Sequence, residues 1–149
     1  LSEVAPIEET LDTNLVERAN TKAQESELKT VLIVDDSPTE TFTLKSMLEA
    51  KGFEVLTAEN GADGVALARE ELPDAVLMDI VMPGLNGFQA TRQLSKDEKT
   101  AHIPVVIVTT KDQETDKVWG QRQGAKGYLV KPVSEDVLAQ TIQGVIDEA

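Results

Sequence analysis

The chain has 149 residues, no cysteine and a formal net charge of −13. That length holds one domain with a sizeable core, and the lack of cysteine excludes disulfides and thiolate metal sites. The acidic balance argues against direct binding to nucleic acid or anionic lipid, and no run approaches the ~20 apolar residues of a membrane span.

Residues 1–29 stand apart from the rest. Leu1, Val4, Ile7, Leu11, Leu15 and Ala19 recur at three- and four-residue steps, which predicts one apolar face on a helix from about Glu8 to Gln24. A lone helix of that length is marginal without packing, so a linker is the other reading. A first residue of Leu rather than Met fits a chain processed or excised from something longer. No basic-then-apolar opening reads as a secretory signal, and a cytoplasmic location is expected.

From Thr30 the pattern is strand then helix, five times. Val31 to Val34 is a continuous apolar run of the kind buried on both faces of a parallel sheet. Ser37, Pro38 and Glu40 then open a helix as N-cap, first-turn proline and capping-box acid. Its inner face is expected at Phe42, Met47 and Leu48, and its end at Gly52. Phe53 to Ala58 reads as a polar edge strand. Asn60 caps a helix with Val65, Ala68 and Leu72 inward, stopped by Pro73. Asp74 to Asp79 is the third strand, turned by Pro83, Gly84 and Gly87. Asn86 and Gln89 open a third helix with Phe88, Thr91 and Leu94 inward. Pro104 to Thr109 is the fourth strand, and Asp112 is expected to cap a helix reaching Gln123, with Trp119 read as helix packing ahead of an exposed partner anchor. Tyr128 to Val130 is the fifth strand. Ser134, Glu135 and Asp136 start a last helix lined by Val137, Leu138, Thr141, Ile142, Val145 and Ile146. Such alternation implies parallel strands and right-handed crossovers, hence an α/β fold.

In open α/β sheets, chemistry gathers at the carboxyl ends of the strands. There the first strand delivers Asp35 and Asp36, the third Asp79, the fourth Thr109 and Thr110, and the fifth Lys131 and Pro132. Singly, these read as helix caps, strand ends and a solvated lysine. Side by side, three carboxylates repel one another. A hard divalent cation such as Mg²⁺ resolves that repulsion with one or two carboxylates, waters and phosphate oxygens. Lys131 adds a point charge and Thr109 a hydroxyl donor. The set suits a phosphoryl group carried on Asp79.

This pattern resembles the receiver domain of two-component response regulators, over about residues 30–149. The runs Leu77 to Arg92 and Thr109 to Gly120 are similar to the single-domain, CheY-like regulators of type IV pilus (twitching) systems. The resemblance implies a doubly wound (βα)5 fold, with a five-stranded parallel sheet in the order 2-1-3-4-5 and helices on both faces. It implies that Asp79 accepts a phosphoryl group from a histidine kinase of the CheA-like kind. Asp36 would ligate Mg²⁺ directly, Asp35 mostly through water, and the Val81 backbone carbonyl would join Asp79 in the ligand set. Thr109 and Lys131 would bond phosphoryl oxygens, the Lys131–Pro132 bond would be cis, and Tyr128 would switch inward as Thr109 moves. An output protein would dock on the fourth helix, fifth strand and fifth helix.

The alternatives are the receiver domain of a larger regulator whose other domain is absent from this chain, and an Asp-nucleophile phosphohydrolase. The latter needs an acid two residues beyond its nucleophile. Val81 follows Asp79 at that spacing and Ser37 follows Asp35. A signalling module rather than an enzyme turning over a substrate is therefore expected. A nucleotide or flavin module would place glycines or hydroxyls where Asp35 and Asp36 stand.

Overall fold

A computed structural model describes residues 28–149. The helix or linker expected between residues 8 and 24 lies outside them. Strands β1 (Thr30–Val34), β2 (Glu54–Ala58), β3 (Ala75–Met78), β4 (Val105–Thr109) and β5 (Gly127–Val130) form one parallel sheet in the order β2-β1-β3-β4-β5. Between and after them run helices α1 (Pro38–Ala50), α2 (Gly61–Glu71), α3 (Gly87–Lys96), α4 (Glu114–Arg122) and α5 (Glu135–Glu148). Among the described residues, no helix is long and apolar enough to cross a membrane.

The strand period of two sorts the core into two layers. Val31 and Ile33 of β1, Ala75 and Leu77 of β3 and Val106 and Val108 of β4 meet Leu44, Leu48, Leu138, Ile142 and Val145 of α1 and α5. Leu32, Val34, Val76, Met78 and Val105 face the opposite way, onto Ala68 of α2 and Ala90 and Leu94 of α3. A smaller cluster of Ile80, Ile107 and Ala125 continues that second layer, with Phe88 and Tyr128 against it. Burial on both sides is why β1, β3 and β4 are written as unbroken apolar runs.

Several expectations about facing need correction. Phe42 is 72% exposed, and Leu44 takes the inward place. Phe42 lies six residues before Leu48, about 120° off the inward stripe of a helix with 3.6 residues per turn. Val137 is exposed for a similar reason, one residue out of phase with Leu138, Ile142 and Val145. Leu72 is exposed as the left-handed C-cap of α2. Trp119 is 48% exposed rather than packed inside, because the buried contact of α4 is made by Gly120. The helix N-cap is Gln113, without a side-chain cap bond, rather than Asp112. Strand β5 is half-buried along its whole length, as an edge strand should be.

The turn after β3 depends on two glycines. Gly84 has φ +75°, in the left-handed region. Gly87 begins α3 against the end of β3, where a Cβ would overlap the Asp79 carbonyl oxygen and sit 2.7 Å from Ile80 Cα. Those neighbours are backbone and cannot rotate away. Gly87→Ala is therefore expected to destabilise by about 1–3 kcal/mol, read as a lower urea midpoint with an unchanged slope. An unaltered midpoint would show that α3 can lift off β3 freely.

Candidate functional site

The ladder hydrogen bonds continue one residue past β1, β3 and β5, and this fixes the backbone of three site residues. Asp35 N–H donates to the Ala58 carbonyl at 3.1 Å, Asp79 N–H to Val34 at 3.0 Å and Lys131 N–H to Thr109 at 2.8 Å. Asp35, Asp36 and Asp79 each present a carboxylate oxygen, and the three oxygens lie within 4.8 Å of one another. Asp35 is buried, Asp79 half-buried and Asp36 exposed. Thr109 ends β4, between the strands that precede Asp79 and Lys131, and is fully buried.

Lys131 reaches into this group from the last strand, with only 8% of its side chain exposed. Its ammonium lies 2.8 Å from Asp35 Oδ2, 3.7 Å from Glu40 Oε2 and 3.9 Å from Asp79 Oδ2. The other Asp35 oxygen accepts the Ser37 N–H at 2.9 Å. Asp79 Oδ1 accepts the Val81 N–H at 3.4 Å, so the loop after β3 folds back over the acid. The Lys131–Pro132 bond is cis.

The electrostatics follow from this crowding. Burial pushes the Asp79 carboxyl above its ordinary pKa; Lys131 opposes that and Asp35 adds to it. The Lys131 ammonium is held above its ordinary value despite burial, by its hydrogen bond to Asp35 and by the charges of Asp79, Asp35 and Glu40. Two or more carboxylates facing one small space with one side turned to solvent is the donor set of a hard cation. The residues present therefore fit Mg²⁺, although the ammonium alone already offsets part of the charge.

Tyr128 lies at the edge of the same region. Its ring packs in the cluster of Ile80 and Ile107, and its hydroxyl donates to the Lys111 carbonyl at 2.8 Å. Burial, with Asp116, Asp112 and Asp79 adding, pushes its phenol up to about 12. Lys111 N–H in turn donates to Thr109 Oγ1 at 3.4 Å, so Lys111 touches both residues expected to switch.

Sequence reasoning gave Glu40 the wrong partner. A Ser37–Glu40 capping box would send the Glu40 carboxylate back to the Ser37 N–H. Ser37 Oγ does accept the Glu40 N–H at 3.3 Å, but the Ser37 N–H is taken by Asp35. The Glu40 side chain points to Lys131 instead. At α3 the same motif closes fully, between Asn86 and Gln89. The adjacent aspartate was the signal that could have separated the two cases.

An all-parallel 2-1-3-4-5 sheet with acids after β1 and β3 and a lysine after β5 defines a response-regulator receiver. Residues 31–143 match the response regulator receiver domain family, and the chain belongs to that family. Protein PilH of Pseudomonas aeruginosa is 72% identical over 116 residues, which span 78% of this chain and 96% of PilH. The response regulator PleD of Caulobacter vibrioides is 38% identical over 124 residues, 79% of this chain but 27% of PleD. Among solved structures, the chemotaxis protein CheY4 of Vibrio cholerae superposes with a TM-score of 0.75 at 31% identity, covering 79% of this chain and 98% of CheY4. The receiver domain of a Pseudomonas aeruginosa sensor histidine kinase, solved with a magnesium ion coordinated in its active-site cleft, gives 0.75 at 28% identity, over 80% and 98% of the two chains.

Proposed function

We propose that this receiver takes a phosphoryl group onto Asp79 from a histidine kinase of the CheA-like kind, and that the modified pocket then changes a protein-binding face. The observation that carries the reading is Lys131: an ammonium from the last strand lies 3.9 Å from Asp79 Oδ2 beside two further acids. An Asp79 oxygen attacks phosphorus in line, forming an O–P bond as the P–N bond of a phosphohistidine donor breaks and the imidazole nitrogen leaves with the electron pair. Lys131 pairs with one phosphoryl oxygen and the Thr109 hydroxyl donates to another, each held there by the ladder that fixes its backbone. Asp35, Asp36, Asp79 and the Val81 carbonyl would hold Mg²⁺. When bound, it neutralises the acids and the charge that develops on the phosphoryl oxygens.

In this reading the domain turns over no separate substrate and acts only on its own phosphoryl group. Tyr128 moves inward as Thr109 is drawn to the phosphoryl oxygen, giving up its bond to the Lys111 carbonyl. The output partner meets α4, β5 and α5, where Trp119 and Val118 are exposed. Similarity to PilH supports a place in type IV pilus (twitching) or chemotaxis-like signalling, and a cytoplasmic location goes with that reading. Residues 1–29 are read as an arm outside the receiver domain, which spans 30–149.

The test is incubation with Mg²⁺ and a small acyl phosphate, followed by intact-mass measurement and peptide mapping. A labile gain of one phosphoryl group is expected, mapping to the peptide that holds Asp79 and lost on chelation. A group mapped to another peptide, or uptake indifferent to chelation, would sink the assignment.

A further inference from the structure

We propose that Glu40 is a positioning residue for Lys131: its carboxylate draws the ammonium toward α1 and away from Asp79, slowing phosphoryl uptake. The inference rests on the reading of Asp79 as the acceptor given above.

Three facts lead to it. The Glu40 backbone is locked in the first turn of α1 by the Ser37 cap, so its side chain starts from a fixed place. The usual local partner of that side chain is already occupied by Asp35. Its carboxylate therefore lies 3.7 Å from the Lys131 ammonium, nearer than Asp79 Oδ2 at 3.9 Å. An ammonium has a donor for each of three carboxylates but only one position, so carboxylates on different sides compete for its place rather than for its protons. Asp35 holds one donor firmly at 2.8 Å. Glu40 and Asp79 pull the ammonium from different elements, and Glu40 is the partner on the solvent side, 46% exposed. A phosphoryl group arriving on Asp79 must win the ammonium from Glu40 before Lys131 can neutralise it. When an acyl phosphate is the donor, the Asp79 oxygen bonds to phosphorus and the donor carboxylate leaves with the electron pair of the broken P–O bond. Lys131 serves that step only as far as it faces the phosphoryl oxygens.

The experiment compares uptake rates from a small acyl phosphate at saturating Mg²⁺. Glu40→Gln keeps the shape and removes the pull. It is expected to react about two- to fivefold faster, the size of a partly exposed ion pair. Glu40→Asp keeps the charge but loses one methylene of reach, and is expected to behave like Glu40→Gln. Glu59→Gln removes a charge from the neighbouring pocket that Asp35 and Asp36 also line, and is expected to keep the wild-type rate. Glu40→Gln at the wild-type rate overturns the proposal. So does Glu40→Asp reacting like the wild type, or Glu59→Gln accelerating equally, since either would make the effect one of net charge. If the wild type itself takes up no phosphoryl group, the reading of the pocket fails and the proposal goes with it. If only the variants disagree, the reading of the pocket stands.

Discussion

Asp79→Asn is expected to abolish phosphoryl uptake completely and, without metal at neutral pH, to melt at a higher temperature than the wild type. The first effect follows from the chemistry, because an amide oxygen is no nucleophile toward phosphorus at these pH values and the acyl phosphate linkage cannot form. The second follows from the raised pKa of Asp79, whose largest cause is burial and whose next unfavourable neighbour is Asp35. A carboxyl whose folded pKa is raised contributes stability below its unfolded value, about 3.9, and loses it as pH climbs through the folded value. At neutral pH the ionised group is a net cost, and Asn removes it. The gain in melting temperature should shrink as pH falls through the carboxylate range. Added Mg²⁺ should raise the wild-type melting temperature more than that of the variant. Thermal melts at neutral and acid pH, with and without Mg²⁺, check all three statements. A variant less stable than the wild type at neutral pH would show that Lys131 outweighs burial at Asp79.

Lys131→Met should cost about 3–5 kcal/mol of metal-free stability, the range for removing one partner of a buried pair. Methionine keeps much of the stem's volume, so the loss is electrostatic. The ammonium is almost enclosed, and Asp35, its 2.8 Å partner, is 2% exposed. Without the lysine, Asp35 keeps only the Ser37 N–H and faces Asp36 and Asp79 with nothing to offset it. The raised pKa of Lys131 puts its contribution at full strength below its unfolded value, near 10.4, and removes it only as pH climbs past the folded value. Neutral pH is therefore the right condition for the comparison. Mg²⁺ should restore most of the loss, and the variant should bind the ion more tightly than the wild type, because the metal no longer shares the acids with an ammonium. Urea titrations with and without Mg²⁺ would measure both. Equal midpoints for variant and wild type would show that the acids do not depend on Lys131.

Most of the sheet was legible because three of its strands are buried on both faces and had to be written in apolar residues. The site was legible for a related reason. A charged residue at the end of a strand has few places to be except the rim, and four such residues after three strands, with the Thr109 hydroxyl ending a fourth, left little freedom. Facing within helices was harder to read. Phe42 and Leu44 are both apolar and two residues apart, so composition could not choose between them; only the phase set by Leu48 against the sheet does so. Of the two readings of Trp119 the exposed one holds, because α4 makes its close contact through Gly120, where a Cβ would lie 2.7 Å from Ile107 Cδ1. A residue with no side chain leaves no hydrophobic signal. Glu40 was given its commonest local partner, while its true one comes from a lysine 91 positions later in the sequence. Local motifs say which bonds are available, and the tertiary fold decides which are taken.

The order of the strands also bears on biosynthesis. Both acidic strand ends are made early, whereas the cation that answers them lies at position 131, just past the last strand of the sheet. A nascent chain emerging amino end first carries its aspartates past the ribosome well before their counter-charge exists. Until β5 docks, those acids must stay hydrated, protonated or bound to an ion from the surrounding solution. Docking of the final strand therefore closes the sheet and brings the acids their lysine in a single event.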